Sequence, residues 1–227
     1  MYRSTQNEIR TQGIVLRRTN YAEADRILNL VTPEGKVVAI ARGVRRAKSK
    51  LAGGVEMFML SDYRIHTGKS EMGVVTSARM VKYYGEIVRD YARMNLAAEV
   101  LRRVGRMVEG APATEYFVVA REVLEALNAR VRMEMVESFA WINLLKASGE
   151  EINLYRDVSG EKLRADERYE WDAGEGAFVL RDGGVYGADE IKLMRLMAGG
   201  NLRLVERVKR AEEMWPKILQ LTRSVIK

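Results

Sequence analysis

The chain has 227 residues, with 38 Lys/Arg against 31 Asp/Glu, one His, no Cys and a formal net charge of +7. The missing cysteines exclude disulfides, thiolate metal sites and cysteine nucleophiles, and a single histidine, His66, excludes a His-based triad or metal cluster. Apolar and charged residues stand in ordinary globular proportion, no stretch nears the roughly 20 apolar residues of a membrane span, and residues 1–8 lack a signal-peptide core, so a cytoplasmic protein is expected.

Residues 9–80 read as short strands at 13–18, 24–32, 36–42, 57–66 and 73–79, separated by turn signals. The second strand stops at Pro33-Glu34-Gly35-Lys36, a strong turn, and the third returns as its hairpin partner. The inner row of the fourth strand is expected at Phe58, Leu60 and Tyr63 or their alternates. Five short strands with no helix long enough for a βαβ crossover indicate a small closed or nearly closed barrel. An SH3-like barrel fits this count almost as well, whereas the segment's length and long third connection favour the oligonucleotide-binding (OB) type.

Charge is concentrated in that segment. Residues 1–80 hold 14 Lys/Arg and 7 Asp/Glu, and the remainder holds 24 of each, so the barrel segment carries the entire excess. Residues 42–50 place Arg42, Arg45, Arg46, Lys48 and Lys50 in nine positions without one acid. Such a cluster repels itself unless solvent or a polyanion disperses it, and phosphate backbones are the commonest cellular polyanion. A solvated surface loop is the ordinary reading of a charge run. The bias across a whole barrel-like segment favours nucleic-acid binding, with Arg17, Arg18 and Lys36 extending the basic track. Tyr21, in a polar turn, is the candidate ring for base stacking, while Phe58 and Tyr63 fit core positions.

Near residue 81 the apolar period changes from two to 3.6. Tyr84, Ile87, Val88, Tyr91, Met94, Ala98, Leu101, Val104 and Val108 predict one helix of about seven turns, ended by Gly110-Ala111-Pro112. Thr114 is a plausible N-cap for a second helix on Phe117, Ala120, Leu124 and Leu127. A third runs over 132–147, with Val136, Phe139, Ala140 and Leu144 inward and Ser148-Gly149 closing it. Residues 150–187 are polar and Gly-rich and predict an inserted β-hairpin, with strands at 169–172 and 177–180 and a turn at Asp182-Gly183-Gly184. Helices resume at 188–198 and 202–214, and Pro216 starts or kinks the last one. These stripes are bundle core faces rather than a cofactor box.

Catalytic chemistry is hard to place. Gly68-Lys69-Ser70 resembles the end of a phosphate-binding P-loop, but Tyr63 stands where the motif needs Gly and the following residues predict a strand instead of a helix. Carboxylates such as Glu150-Glu151 and Asp166-Glu167 lie in polar stretches beside Lys and Arg. No catalytic residue, metal ligand or cofactor is expected.

Four blocks in order, Gly13-Ile14-Val15-Leu16-Arg17, Tyr21-Ala22-Glu23-Ala24-Asp25, Thr32-Pro33-Glu34-Gly35-Lys36 and Ala41-Arg42-Gly43-Val44-Arg45-Arg46-Ala47-Lys48-Ser49, resemble the N-terminal domain of the RecO family of bacterial recombination mediators. The resemblance spans residues 10–80. It implies an α+β protein: an OB-fold barrel over residues 1–80, followed by an α-helical domain over 81–227 into which the 150–187 hairpin module is inserted. It also implies binding to single- and double-stranded DNA, strand annealing, and partnership with RecR and the acidic C-terminal tail of single-stranded DNA-binding protein, so that a recombinase loads. Many members carry a four-cysteine zinc module between the helices. Here Tyr155, Tyr169, Trp171 and Phe178 occupy that place, so an apolar hairpin core is expected to stand in for the metal. For the acidic tail the resemblance points to the helical domain, and Arg203, Arg207 and Arg210 are candidates for a cationic rim. An RNA-binding or ribosome-associated OB protein is the alternative, and the expected location is the cytoplasm at the nucleoid.

Overall fold

A computed structural model describes residues 8–68, 72–108, 114–208 and 211–226. The chain packs into two compact units that divide between Ala129 and Arg130, later than the change of apolar period at residue 81.

In the first unit, β1 (Glu8–Tyr21), β2 (Asp25–Thr32), β3 (Gly35–Ala41), β4 (Met59–His66) and β5 (Gly73–Tyr83) close a barrel in the order β1-β2-β3-β5-β4. Every pairing is antiparallel except β3 with β5, which run parallel through Ala39–Gly73 and Ile40–Val74. This is the five-stranded Greek-key ring of an OB-fold. Val15, Leu28, Leu30, Ala39, Ala41, Tyr63, Ile65 and Val75 fill its interior, together with Val44 and Val55 from the third connection. β1 is far longer than the apolar run 13–18 suggests, because its polar ends pair with β4 on one side and β2 on the other. In β4 the inward row is Tyr63 and Ile65; a register shift between Leu60 and Ser61 breaks the alternation counted from Phe58.

The third connection, residues 42–58, crosses the barrel end with a 3-10 turn at Ala52–Gly54. The Tyr63 hydroxyl donates to the Gly54 carbonyl at 2.7 Å. A Cβ on Gly54 would stand 2.6 Å from the Ala78 carbonyl carbon, so only glycine lets the connection lie this close to β5.

The predicted seven-turn helix is interrupted. β5 continues to Tyr83, a single turn α1 (Gly85–Val88) follows, and α2 starts anew at Tyr91–Met107. Asp90 causes the break: its backbone is extended, and its carboxylate caps α2 by accepting from the Ala92 and Arg93 amides. Val88, Tyr91 and Ala98, expected on the buried stripe, are exposed, and Leu96, Ala97 and Val100 are buried instead. Gly110-Ala111-Pro112 lies outside the described residues. Thr114 is the first residue of α3 (Thr114–Asn128), and its hydroxyl donates to the Pro33 carbonyl at 2.7 Å.

The second unit is built on α4 (Met133–Ser148), where every residue from Met135 to Leu145 is buried, so the single inward stripe expected there widens to the whole circumference. Its neighbours are α5 (Ala188–Ala198) and α7 (Trp215–Val225). Buried Glu137 accepts from Arg223 at 2.6 and 2.8 Å and from the Trp141 indole at 3.1 Å, and Asn143 donates to the Met197 carbonyl at 3.0 Å. Gly149, at φ 81°, ends α4 in the left-handed conformation.

The hairpin forms as predicted, β6 (Tyr169–Asp172) against β7 (Ala177–Leu180). Phe178 sits edge-on to Tyr169, Trp171 and Tyr186 with ring centroids 5.2–6.4 Å apart. Tyr155 is not in this core; it is exposed, with the Arg195 guanidinium 4.7 Å from its ring centre. The helix expected over 202–214 is reduced to α6 (Leu202–Val205) and a 3-10 turn at Ala211–Glu213. Leu202, Val205, Val208, Ala211 and Met214 recur every third residue, the period of 3-10 rather than α geometry.

Gly54→Ala is expected to cost about 1–3 kcal/mol by overpacking, lowering Tm by about 2–4 °C per kcal/mol. Thermal denaturation checks this, and an unchanged Tm would show that the connection tolerates a Cβ.

Candidate nucleic-acid interface

The basic loop begins where β3 ends, beside the tight β1–β2 hairpin. Two bonds stitch it there: the Gly43 amide donates to the Asp25 carboxylate at 2.7 Å, and the Arg45 amide donates to the Ala24 carbonyl at 2.9 Å. Gly43, at φ 63°, takes the left-handed turn that starts the loop. The chain then coils through successive turns, Arg46 to Gly43 at 3.1 Å and Ser49 to Arg46 at 3.0 Å. Val44 and, further on, Val55 are sunk into the barrel core.

This anchoring turns the charged side chains outward. Arg42, Arg45, Arg46, Lys48 and Lys50 are all exposed, and among the described residues none has a carboxylate within ion-pair distance. Tyr21, about half exposed at 51%, stands on the hairpin to which the loop is bonded. The structure therefore brings six of the predicted site residues to one end of the barrel. Phe58 and Tyr63 are buried.

The remaining three predicted cations are not part of that free cluster. Arg18 is held by Glu56, which also binds Arg26 at 2.7 Å. Burial and the neighbouring Arg26 charge pull the Arg18 guanidinium below its usual pKa. Lys36 donates to the Gly105 carbonyl near the end of α2 at 3.2 Å. Arg17 is exposed, pairs across to Asn29, and lines a groove against α2 together with Arg18 and Lys36. Sequence reasoning missed Glu56 and Arg26, because an acid thirty residues distant meets β2 only through the barrel connection. It also missed Arg102 and Arg106 of that groove, which read as ordinary solvated positions of a helix.

In the second unit Arg203 and Arg207 are exposed, and Arg210 lies outside the described residues. A cleft of about 350 Å³ nearby has a floor of Met135, Val205, Val208 and Trp215 and carries Arg132 on its wall. His66 is exposed, and of the Gly68-Lys69-Ser70 segment only Gly68 is among the described residues; β5 follows as a strand. Among the described residues no group of three or more His, Cys, Asp or Glu could hold a metal ion, and no helix is long and apolar enough to cross a membrane.

Residues 6–84 match the family profile described as "Recombination protein O N terminal", and residues 88–227 match "Recombination protein O C terminal". The chain is similar to the "DNA repair protein RecO" of Roseiflexus sp. (strain RS-1), with 31% identity over 147 residues, 64% of this chain and 52% of that protein. It is also similar to the protein of that name from Bifidobacterium longum subsp. infantis, 38% identical over 124 residues, 53% of this chain and 50% of the relative. The counterpart of Acetivibrio thermocellus is 31% identical over 147 residues, 63% of this chain and 58% of the relative. The chain spans about half the length of the relatives it matches.

Removing the loop's carboxylate anchor should loosen it without unfolding the barrel. Asp25→Ala is expected to cost roughly 1–2 kcal/mol, the low end for a hydrogen bond to a charged group that is partly exposed. Amide exchange at Gly43, Arg45 and Arg46 should accelerate while exchange in the β4 core stays unchanged. Equal exchange in both proteins would show that the Arg45–Ala24 bond and the buried Val44 and Val55 hold the loop without the carboxylate.

Proposed function

The chain belongs to the recombination protein O family, and from that premise we propose that it is a non-enzymatic DNA-binding mediator of recombinational repair. The observation that carries this reading is the loop of five exposed, carboxylate-free cations bonded to the end of an OB barrel. Such a surface binds phosphates, with affinity drawn from counterion release and little dependence on sequence. Tyr21 beside it offers a ring on which a base of a single strand stacks.

Annealing follows from the same chemistry. A clamp on the backbones neutralises the repulsion between two strands while the base edges stay free to pair. The partners proposed are single- and double-stranded DNA, a RecR-like protein, and the acidic C-terminal tail of single-stranded DNA-binding protein, with recombinase loading as the outcome. The tail is assigned to the second unit. The cleft at Val205, Val208 and Trp215 supplies an apolar floor beside Glu206 and Glu212, and the exposed Arg203 and Arg207 supply cations for the tail's carboxylates. The protein is placed at the nucleoid.

The test is the triple substitution Arg45→Ala, Arg46→Ala, Lys48→Ala in the full chain. Binding to unrelated sequences should weaken alike. The log–log salt slope should fall by about 0.9 on duplex and about 0.7 on single strands for each cation that no longer reaches a phosphate. A folded variant with unchanged slope and affinity would overturn the reading, and preferential retention of structured RNA over single-stranded DNA in competition would move it to RNA. For the tail, the double substitution Arg203→Glu, Arg207→Glu in the full chain should weaken a labelled tail peptide at least tenfold. DNA affinity should stay within twofold. Unchanged peptide binding would remove Arg203 and Arg207 from that site.

A further inference from the structure

β1 carries a bulge where it meets α2. Val15 pairs with Leu30 and Arg17 pairs with Asn29, so the chain gains one residue at Leu16 relative to β2. Val15, Leu28 and Leu30 point into the barrel, and without the bulge Arg17 would fall on their side. With it, Leu16 and Arg17 both face outward, the re-aiming that bulges commonly perform next to binding sites.

They face a groove of about 820 Å³ between the barrel wall and α2, within one compact unit. Its apolar floor is Leu16, Met57, Ala98 and Leu101. Asn29 and Asn95 also line it. Asn95, Ala98, Arg102 and Arg106 recur at three- and four-residue steps, so α2 presents them as one face.

Most of the charges lining the groove are already engaged. Glu99, the carboxylate among its lining residues, is held by Arg102 and by Arg103, the latter at 2.7 Å. Arg18 is bound to Glu56, and Lys36 donates to Gly105. Arg17 and Arg106 are different: both are exposed, and neither has an ion-pair or side-chain hydrogen-bond partner among the described residues. Two available guanidinium groups thus share the groove with an apolar floor and two amides.

That combination matches the phosphate, the base face and the base edge of a nucleotide. Guanidinium groups take a phosphate, an apolar surface takes the face of a base, and a primary amide pairs with a base edge. The volume lies in the range of small-molecule sites, which suits one nucleotide and excludes a stacked duplex. We propose that this groove holds a single unstacked nucleotide of a DNA strand, its phosphate on Arg17 and Arg106, its base on Leu16 and Leu101, and its edge on Asn29 or Asn95. The inference rests on the DNA-binding reading above and adds to it a site that only a strand with a splayed base can fill. The 42–50 loop grips any backbone; the groove selects for single strands.

The same chemistry could be supplied by a free nucleotide, so the experiment has two arms. An oligo(dA) with one central 2-aminopurine, quenched by stacking, is titrated with the 227-residue chain at loop-saturating concentration. The probe should brighten several-fold, and millimolar dAMP should leave the signal in place. Ala98→Leu, which fills the floor without altering charge, should shut out the base and abolish the brightening while the strand's phosphate still reaches Arg17 and Arg106 and the salt slope is unchanged, an effect that a merely electrostatic surface would not produce. Arg17→Ala with Arg106→Ala should also abolish it and lower the single-strand slope by about 0.7 per cation, with duplex affinity within twofold. The loop triple variant should need more protein but reach the same brightness. Strand binding without brightening, or brightening that survives Ala98→Leu and the double substitution, would overturn the proposal. Displacement by micromolar dAMP would reassign the groove to free nucleotides. Failure of the wild-type protein to bind the strand at all would instead refute the underlying DNA-binding reading.

Discussion

The arrangement depends on holding five like charges together at the end of the barrel without letting any of them find an internal partner. Their mutual repulsion is modest. Two unit charges 4 Å apart cost about 1 kcal/mol in bulk water, and beyond about 8 Å physiological salt screens most of what remains. Fully burying one valine contributes roughly 1.5–3 kcal/mol, and the connection buries two, Val44 and Val55. The Asp25 carboxylate adds a charge-assisted bond to the Gly43 amide. These anchors hold the loop formed with its cations in solvent.

A second constraint divides the cations by role. Arg18 and Arg26 share Glu56, which ties β1, β2 and the third connection at the same end of the barrel. Lys36 fastens β3 to the carbonyl of Gly105 on α2. These groups hold the frame, whereas Arg17, Arg106 and the loop cations remain available to a polyanion. The neutral balance of the chain beyond residue 80 fits this division. There the charges largely pair locally, as in Glu137 with Arg223 and Glu190 with Lys217.

The barrel is legible in the sequence because its apolar runs are short, one turn carries a Pro-Glu-Gly signal, and five of its cations share one acid-free stretch. Glu56 is not legible, since its partners come together only when the ring closes. Nor is the Leu16 bulge, because alternation counted along one strand cannot reveal an extra residue relative to its neighbour. The apolar stripe over 84–108 runs on past Asp90, yet the capping carboxylate there outweighs continuous 3.6 periodicity and restarts the helix. Over 202–214 a strict three-residue spacing lies close enough to a helical stripe to predict one continuous helix, and among the described residues it forms only the single turn α6 and a 3-10 turn at Ala211–Glu213. The aromatic hairpin core is visible in outline, but Tyr186 replaces Tyr155, because Tyr186 bridges to Tyr169 across the small sheet.

The central claim is that the barrel end, and not the helical unit, takes the phosphate backbone. Lysine acetylation footprinting of the full chain tests it directly, because Lys48 and Lys50 are exposed in the loop and Lys146 and Lys192 are exposed on α4 and α5. Saturation with single-stranded DNA should protect Lys48 and Lys50 several-fold and leave Lys146 and Lys192 unchanged. Protection confined to the helical lysines, with the loop as reactive as in free protein, would contradict that claim.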